Sequence, residues 1–348
     1  MAGTSAGGPH RTLPQRGSDP RERALTQRPF RFGLSASRAR PKTEWMAFAR
    51  HVEDSGYQTL VMPDHFGPRF ALAPALVLAA EATSQLRVGS LVYDNDFRHP
   101  ALLAQEVASI DLLTDGRFEF GLGAGWLKSE YDSAGIPFDE GATRVERLAQ
   151  ALQIVKALFS ATPLTYEGRF HHLTALTGSA KPKQEPYPPV LIGGGGRRLL
   201  TLAAKEADII SIMPRSRRDG SGLEDADASP AAFTRKLAWI REAAGGRFSA
   251  IELNTLVQTI VITDQPRDAA APLAKEYTME VDHVFETPLV LIGSVGQIAE
   301  TLEQRREHFG LSYITVFEKD LESMAKVIDR LGRRPSAAAQ GEIDDGRG

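Results

Sequence analysis

The chain has no cysteine among its 348 residues. Disulfides, thiolate zinc sites and a cysteine nucleophile are excluded together, and the composition fits a reducing, cytoplasmic location. An excess of positive charge is missing too: the net formal charge is −3, which offers no general attraction to nucleic acid or to an anionic membrane. Neither is expected as a partner. Nor does any apolar run approach the roughly 20 residues needed to span a bilayer. Residues 1–29 carry five Arg against two acids among scattered Gly, Pro, Ser and Thr, without the apolar core of about 7–15 residues that a secretory signal requires. They read as a disordered tail or the product of an early start codon, with an organelle transit peptide as the alternative. The polar stretch 333–348 reads as a second disordered tail, which leaves 30–332 as one folded domain.

What is present is a regular alternation. Short apolar runs closed by Gly, Pro or Asp predict strands at 30–35, 59–62, 88–93, 118–125, 190–192, 208–213, 253–263 and 312–317. Helical periodicity fills most of the intervals, with Thr43 and Thr143 as candidate caps and Pro100 at a helix start. Eight strands, nearly all followed by helices, predict an α/β fold of the (β/α)8 TIM barrel type with inserted loops rather than an open doubly wound sheet. The alternation over 165–173, with a turn at Glu167-Gly168, predicts a small hairpin inserted into the barrel order. A long polar loop is expected after Trp126, a mobile loop or lid at 214–230, and a connector through Thr287-Pro288.

In parallel α/β folds ligands sit at the carboxyl ends of strands, and several such ends are unusual here. The second strand runs into Asp64 and His65, two ionisable groups between prolines at 63 and 68. The third opens into a polar loop over 94–99, and the fourth ends in Gly121-Leu-Gly-Ala-Gly125. The latter spacing departs from the G-x-G-x-x-G dinucleotide fingerprint. Gly193, Gly194, Gly195 and Gly196 lie at a strand end just before a helix, where bare backbone can approach a ligand and aim N–H groups at an anion. Each glycine run also reads as a tight strand-to-helix turn. His171 and His172, on the hairpin, lack further ligand-type residues at suitable spacing and read as surface residues, so no metal site is expected.

The order PDHF, then RHPALLAQEVASIDLLTDGR followed by GLGAGW, then VLIGGGG and ADIISIMP, resembles the luciferase-like flavin and deazaflavin oxidoreductases, and most closely their coenzyme F420-dependent branch. The resemblance covers roughly 30–332. It implies a strand-end bulge with a non-proline cis peptide, matching Leu91-Val92, that supports a flat ring. Asp64 and His65 match an Asp-His pair beside the ring and the substrate pocket. His99 with its neighbour Arg98, and Ala124 with Gly125, flank the cofactor, while Gly193 to Gly196 with Arg197 receive its phosphate. Arg215, Arg217 and Arg218 fit either the anionic tail of F420 or an ordinary solvated loop. Where the glucose-6-phosphate dehydrogenases of this family place a catalytic acid after the glycine loop, this chain has Trp126. That departure speaks against sugar phosphates and gives the pocket an apolar wall.

The resemblance implies an oxidoreductase passing hydride between C5 of F420 and a small organic substrate, with His65 either managing the proton, since imidazole exchanges protons near neutral pH, or only hydrogen-bonding the cofactor, and with Asp64 orienting or charging His65 and contacting the cofactor. A monooxygenase using reduced FMN is the first alternative, and a non-catalytic cofactor-binding barrel the second. Members of this family commonly dimerise, which makes a homodimer one option; nothing in the surface pattern of the sequence decides it.

Overall fold

A computed structural model describes residues 28–332 except 161 and 179. Both expected tails lie outside these residues, save Arg28 and Pro29; Arg28 donates through Nη2 to the carbonyls of Ser249 and Ala250.

Eight strands form the closed parallel barrel: β1 (Arg31–Ser35), β2 (Thr59–Met62), β3 (Arg87–Ser90), β5 (Phe118–Gly123), β8 (Val190–Gly194), β9 (Ile209–Ile212), β10 (Glu252–Leu256) and β13 (Leu311–Phe317). They pair in that order, and β1 closes on β13 with Phe32 opposite Ile314. Strands such as β2 and β9 are buried throughout because one side faces the barrel interior and the other the ring of helices. Beyond a break at Leu91 and Val92, the two-residue β4 (Tyr93–Asp94) continues the line of β3 and pairs with Leu122 and Gly123 of β5. The outer ring comprises α1 (Lys42–Asp54), α2 (Leu72–Glu81), α3 (Pro100–Leu113), α4 (Lys128–Ala134), α5 (Gly141–Leu158), α6 (Arg197–Glu206), α7 (Pro230–Ala244) and, further on, α8 to α11.

The amino end of the barrel is filled by charge. Arg31 of β1 is ion-paired with Glu119 of β5 and with Glu252 of β10, and Arg87 of β3 donates to the same Glu119 at 2.8 Å. Burial pushes the Glu119 carboxyl up, but the two guanidinium groups outweigh it and hold it below the usual carboxylate range.

Several local expectations need correction. The expected strand over 253–263 divides at Val257 and Gln258. Its second half, β11 (Thr259–Ile262), leaves the barrel and pairs in parallel with β12 (Val290–Gly293), in a segment read as connector. With α8 (Pro266–Glu276) and α9 (Val281–Glu286), this pair buries a small core of its own around Ala270, Val284 and Val290. The chain then returns through α10 (Val295–Phe309) to β13, and the described residues end in α11 (Leu321–Gly332). The polar stretch after Trp126 contains α4, stopped by Gly135 at φ 69°. Neither Thr43 nor Thr143 caps: the flanking residues are Pro41 and Glu140, with no side-chain cap bond. The hairpin is present as β6 (Leu164–Glu167) and β7 (His172–Leu176), antiparallel.

Candidate active site

The carboxyl ends of β2, β4 and β5 converge through their own backbone. Gly123 sits where a Cβ would come within 2.5 Å of Val92 Cγ2, so the packing of the β3–β4 break against β5 requires bare backbone there. Gly125 has φ +72°, and a Cβ there would lie 1.8 Å from the Tyr131 hydroxyl and 2.6 Å from Asp94 Oδ2. These glycines therefore have a packing reason of their own. The Leu91–Val92 bond is cis. Both side chains are half-buried and rest on Leu191, Ile209 and Tyr313 of the barrel interior, and Gly193 faces Val92 from β8.

His65 Nδ1 lies 2.7 Å from Glu130 Oε2, with both side chains partly buried. A carboxylate can only accept, so Nδ1 carries the hydrogen and Nε2 is left for another partner. Trp126 meets the imidazole edge to face, ring centres 5.9 Å apart. The neighbouring carboxylate does something else. Asp64 is ion-paired with Arg98 and accepts the Asp94 amide at 3.1 Å. Arg98 also lies 3.6 Å from Glu106 and over the Tyr93 ring. Adjacent in sequence, Asp64 and His65 are thus held by different partners, and the acid that orients His65 is Glu130.

A second layer fixes Glu130. The next residue, Tyr131, is fully buried and donates to both oxygens of Asp94 at 2.8 and 2.9 Å. Burial pushes the Asp94 carboxyl up to about 7, aided by the charges of Asp96 and Asp64 and opposed by hydrogen bonds from the Asp96 amide and Tyr131. Asp96 is paired in turn with Arg147 at 2.7 Å. Arg144 donates to the carbonyls of Ala124 and Gly125 at 3.0 and 3.4 Å, which fixes the loop that carries Trp126.

The remaining expected residues are more dispersed. His99 is exposed, caps α3 by accepting the Ala101 amide, and lies edge-on to His171 at 5.5 Å. His171 is less of a surface residue than its sequence suggests: its Nε2 is buried without a partner among the described residues, and burial, then His99 and Arg147, lower its pKa. Among Gly193 to Gly196, Gly195 packs on the backbone of Met213 to Arg215, whereas Gly196 has nothing within 4 Å of its Cβ position and precedes α6 without a side-chain cap. Arg197 is exposed and turned toward Glu242 and Trp239 of α7. Arg215 and Arg217 are paired with Glu224 and Asp225. The expected lid is pinned: buried Lys236 bonds Asp227 at 2.6 Å and the Met213 carbonyl at 2.9 Å. The Gly220 carbonyl accepts the Lys128 amide, so this segment touches the loop beside Trp126.

Glu130, Tyr131 and Asp94 were not among the expected site residues. The signal that could have found them is Gly135, a helix stop that would have turned the presumed loop into a helix with Glu130 in its first turn. Among the described residues, no group of three or more His, Asp or Glu could hold a metal ion. Two apolar-lined grooves lie on the flanks, between α2 and α3 and between α5 and α6, and contain none of the expected site residues.

A closed parallel barrel of eight strands ringed by helices defines the (β/α)8 TIM-barrel class. The chain belongs to the luciferase-like monooxygenase family, whose model matches residues 26–341. It is 29% identical over 189 residues to an F420-dependent glucose-6-phosphate dehydrogenase of Kineococcus radiotolerans, covering 52% of this chain and 55% of that relative. It is 26% identical over 190 residues to an FMNH2-dependent dimethylsulfone monooxygenase of Pseudomonas putida, covering 51% of each. The chain thus spans about half the length of these relatives. The coenzyme F420-dependent tetrahydromethanopterin reductase of Methanopyrus kandleri has the same fold, with a TM-score of 0.69 at 16% identity over 86% of this chain and 97% of that one. So does a long-chain alkane monooxygenase, with a TM-score of 0.70 at 12% identity over 88% and 92%. No helix among the described residues is long and apolar enough to cross a membrane.

Proposed function

We propose that this chain is an oxidoreductase that binds coenzyme F420 at the carboxyl end of the barrel and exchanges hydride between it and a small organic substrate. The observation that carries this reading is the His65–Glu130 pair, 2.7 Å apart, at the strand ends beside the Leu91–Val92 shelf. The residues present fit a flat ring system: two half-buried apolar side chains form a floor, with glycine at the facing positions of β5 and β8. A bound deazaflavin supplies a hydride donor or acceptor.

The protein's own part is binding and proton management. Leu91 and Val92 would lie under the ring, and Ala124 and Gly125 beside it. Gly196, open and uncapped before α6, would offer backbone N–H groups to a phosphate. Asp64, locked by Arg98, holds the β2 and β4 loops in register. Glu130 keeps the hydrogen on Nδ1 of His65, so that Nε2 can accept a proton from substrate or return one. The relatives include users of F420 and of FMNH2; the choice of F420 rests on the resemblance of the whole order of motifs, from PDHF to ADIISIMP, to the F420-dependent branch. Side-by-side titration of purified protein with F420 and FMN, followed by fluorescence quenching, tests it. Saturable binding of F420 tighter than that of FMN is expected. Preference for FMN would transfer the site to oxygen-activating flavin chemistry, and failure of both to bind would remove the oxidoreductase reading.

A further inference from the structure

The rim around His65 is aromatic, and the ions bonded into it are closed off. Phe66, next to His65, is 48% exposed, and its ring lies 4.6 Å from that of Phe97 at 35°. Phe97 rests on Tyr131 at 5.4 Å, and Tyr131 on Phe138 at 4.9 Å. The loops after β2, β4 and β5 thus share one aromatic seam, with Trp126 against His65 at its inner end. Among the described residues, the other exposed large apolar side chains lie on the barrel's flank, at Leu102, Leu112 and Leu113 of α3, or at Ile262 of β11. Phe66 is the one in a loop that follows a strand of the barrel itself. One part of the phenyl ring packs on Phe97; the exposed part gains free energy when a flat apolar surface covers it.

The charges point the same way. Arg98 is locked between Asp64 and Glu106, Arg147 between Asp96 and Asp139, and Glu130 is bonded to His65. Lys128 Nζ lies 2.6 Å from both oxygens of Asp132. An anion drawing Arg98 away would strand the Asp64 carboxylate, which is only 11% exposed, and breaking such a pair is strongly unfavourable.

We propose, building on the hydride-transfer reading, that the molecule brought to His65 is uncharged and presents a flat apolar face, with Phe66 and Trp126 as the residues that select it. Isothermal calorimetry on the full chain tests this with two probes, 2-acetylnaphthalene and its 6-carboxylate, and with glucose 6-phosphate as a second anion. The neutral ketone should bind at least about tenfold more tightly than either anion. Phe66→Ala should weaken it about tenfold, Phe66→Leu by less, and neither should alter the anions. Equal or tighter binding of an anion, no binding of the ketone, or an unchanged ketone affinity in Phe66→Ala would overturn the inference. The titrations are run with and without F420. If F420 itself fails to bind while the ketone retains its dependence on Phe66, the oxidoreductase reading falls and the ligand class stands.

Discussion

His65 and Glu130 lie 65 positions apart in the chain, yet a single hydrogen bond joins them. If Glu130 keeps the imidazole in its working tautomer, Glu130→Gln should slow cofactor oxidation or reduction about 100-fold, as expected for disabled general acid–base catalysis. His65→Ala should do the same, and cofactor affinity should stay within about tenfold in both. Stopped-flow traces with parallel binding titrations check this; full rates in either variant would remove the pair from the chemistry. Asp94 gives a residue-level pH signature. Its carboxyl is raised to about 7 by burial, so the folded protein binds the proton more tightly than the unfolded chain. Its stability contribution is therefore complete below the ordinary carboxylate pKa of about 4 and is lost as pH rises through about 7. Urea unfolding should show this decline in the wild type, and Asp94→Asn should remove it.

At the scale of elements, the segment 214–230 owes its place to a buried pair. Lys236→Met would leave Asp227, 6% exposed, opposite only Arg235 and the Arg215 amide, at a cost of roughly 3 kcal/mol. Limited proteolysis should then cut first within this segment, whereas wild-type behaviour would mean that the loop is held elsewhere. The limits of sequence reading appear at this scale. The barrel strands could be read because both faces are buried, which makes them continuous apolar runs between glycine and proline stops. The Leu91–Val92 break could be placed by resemblance. The β11–β12 pair escaped because its strands continue directly from β10 or follow a short helix, so nothing in the local pattern marks where the chain changes sheets. Glu130 escaped for a different reason: α4 has only seven residues and reads as polar throughout. A pairing between residues 65 apart is a property of the closed barrel rather than of either local segment.

At the scale of the whole molecule, charge fills the amino end of the barrel, and the proposed ligand site lies at the carboxyl end. At the amino end, Arg31 and Arg87 hold the Glu119 carboxyl below its usual range. Its contribution is thus fully present above the ordinary carboxylate pKa and is lost as pH falls through the lower folded value. Glu119→Gln should destabilise the barrel by roughly 3 kcal/mol at neutral pH, and the difference from wild type should shrink below about pH 4. Chemical denaturation across that range checks both statements. At the carboxyl end, the proposed function requires His65 and the Leu91–Val92 shelf to meet the same bound ligand. The most direct measurement is the NMR spectrum of 15N-labelled histidine rings during titration with F420. The His65 ring signals should move to saturation with the cofactor, while those of exposed His51 and His172 stay in place. If F420 binds and the His65 signals do not move, His65 does not meet the cofactor and the proposed site is wrong.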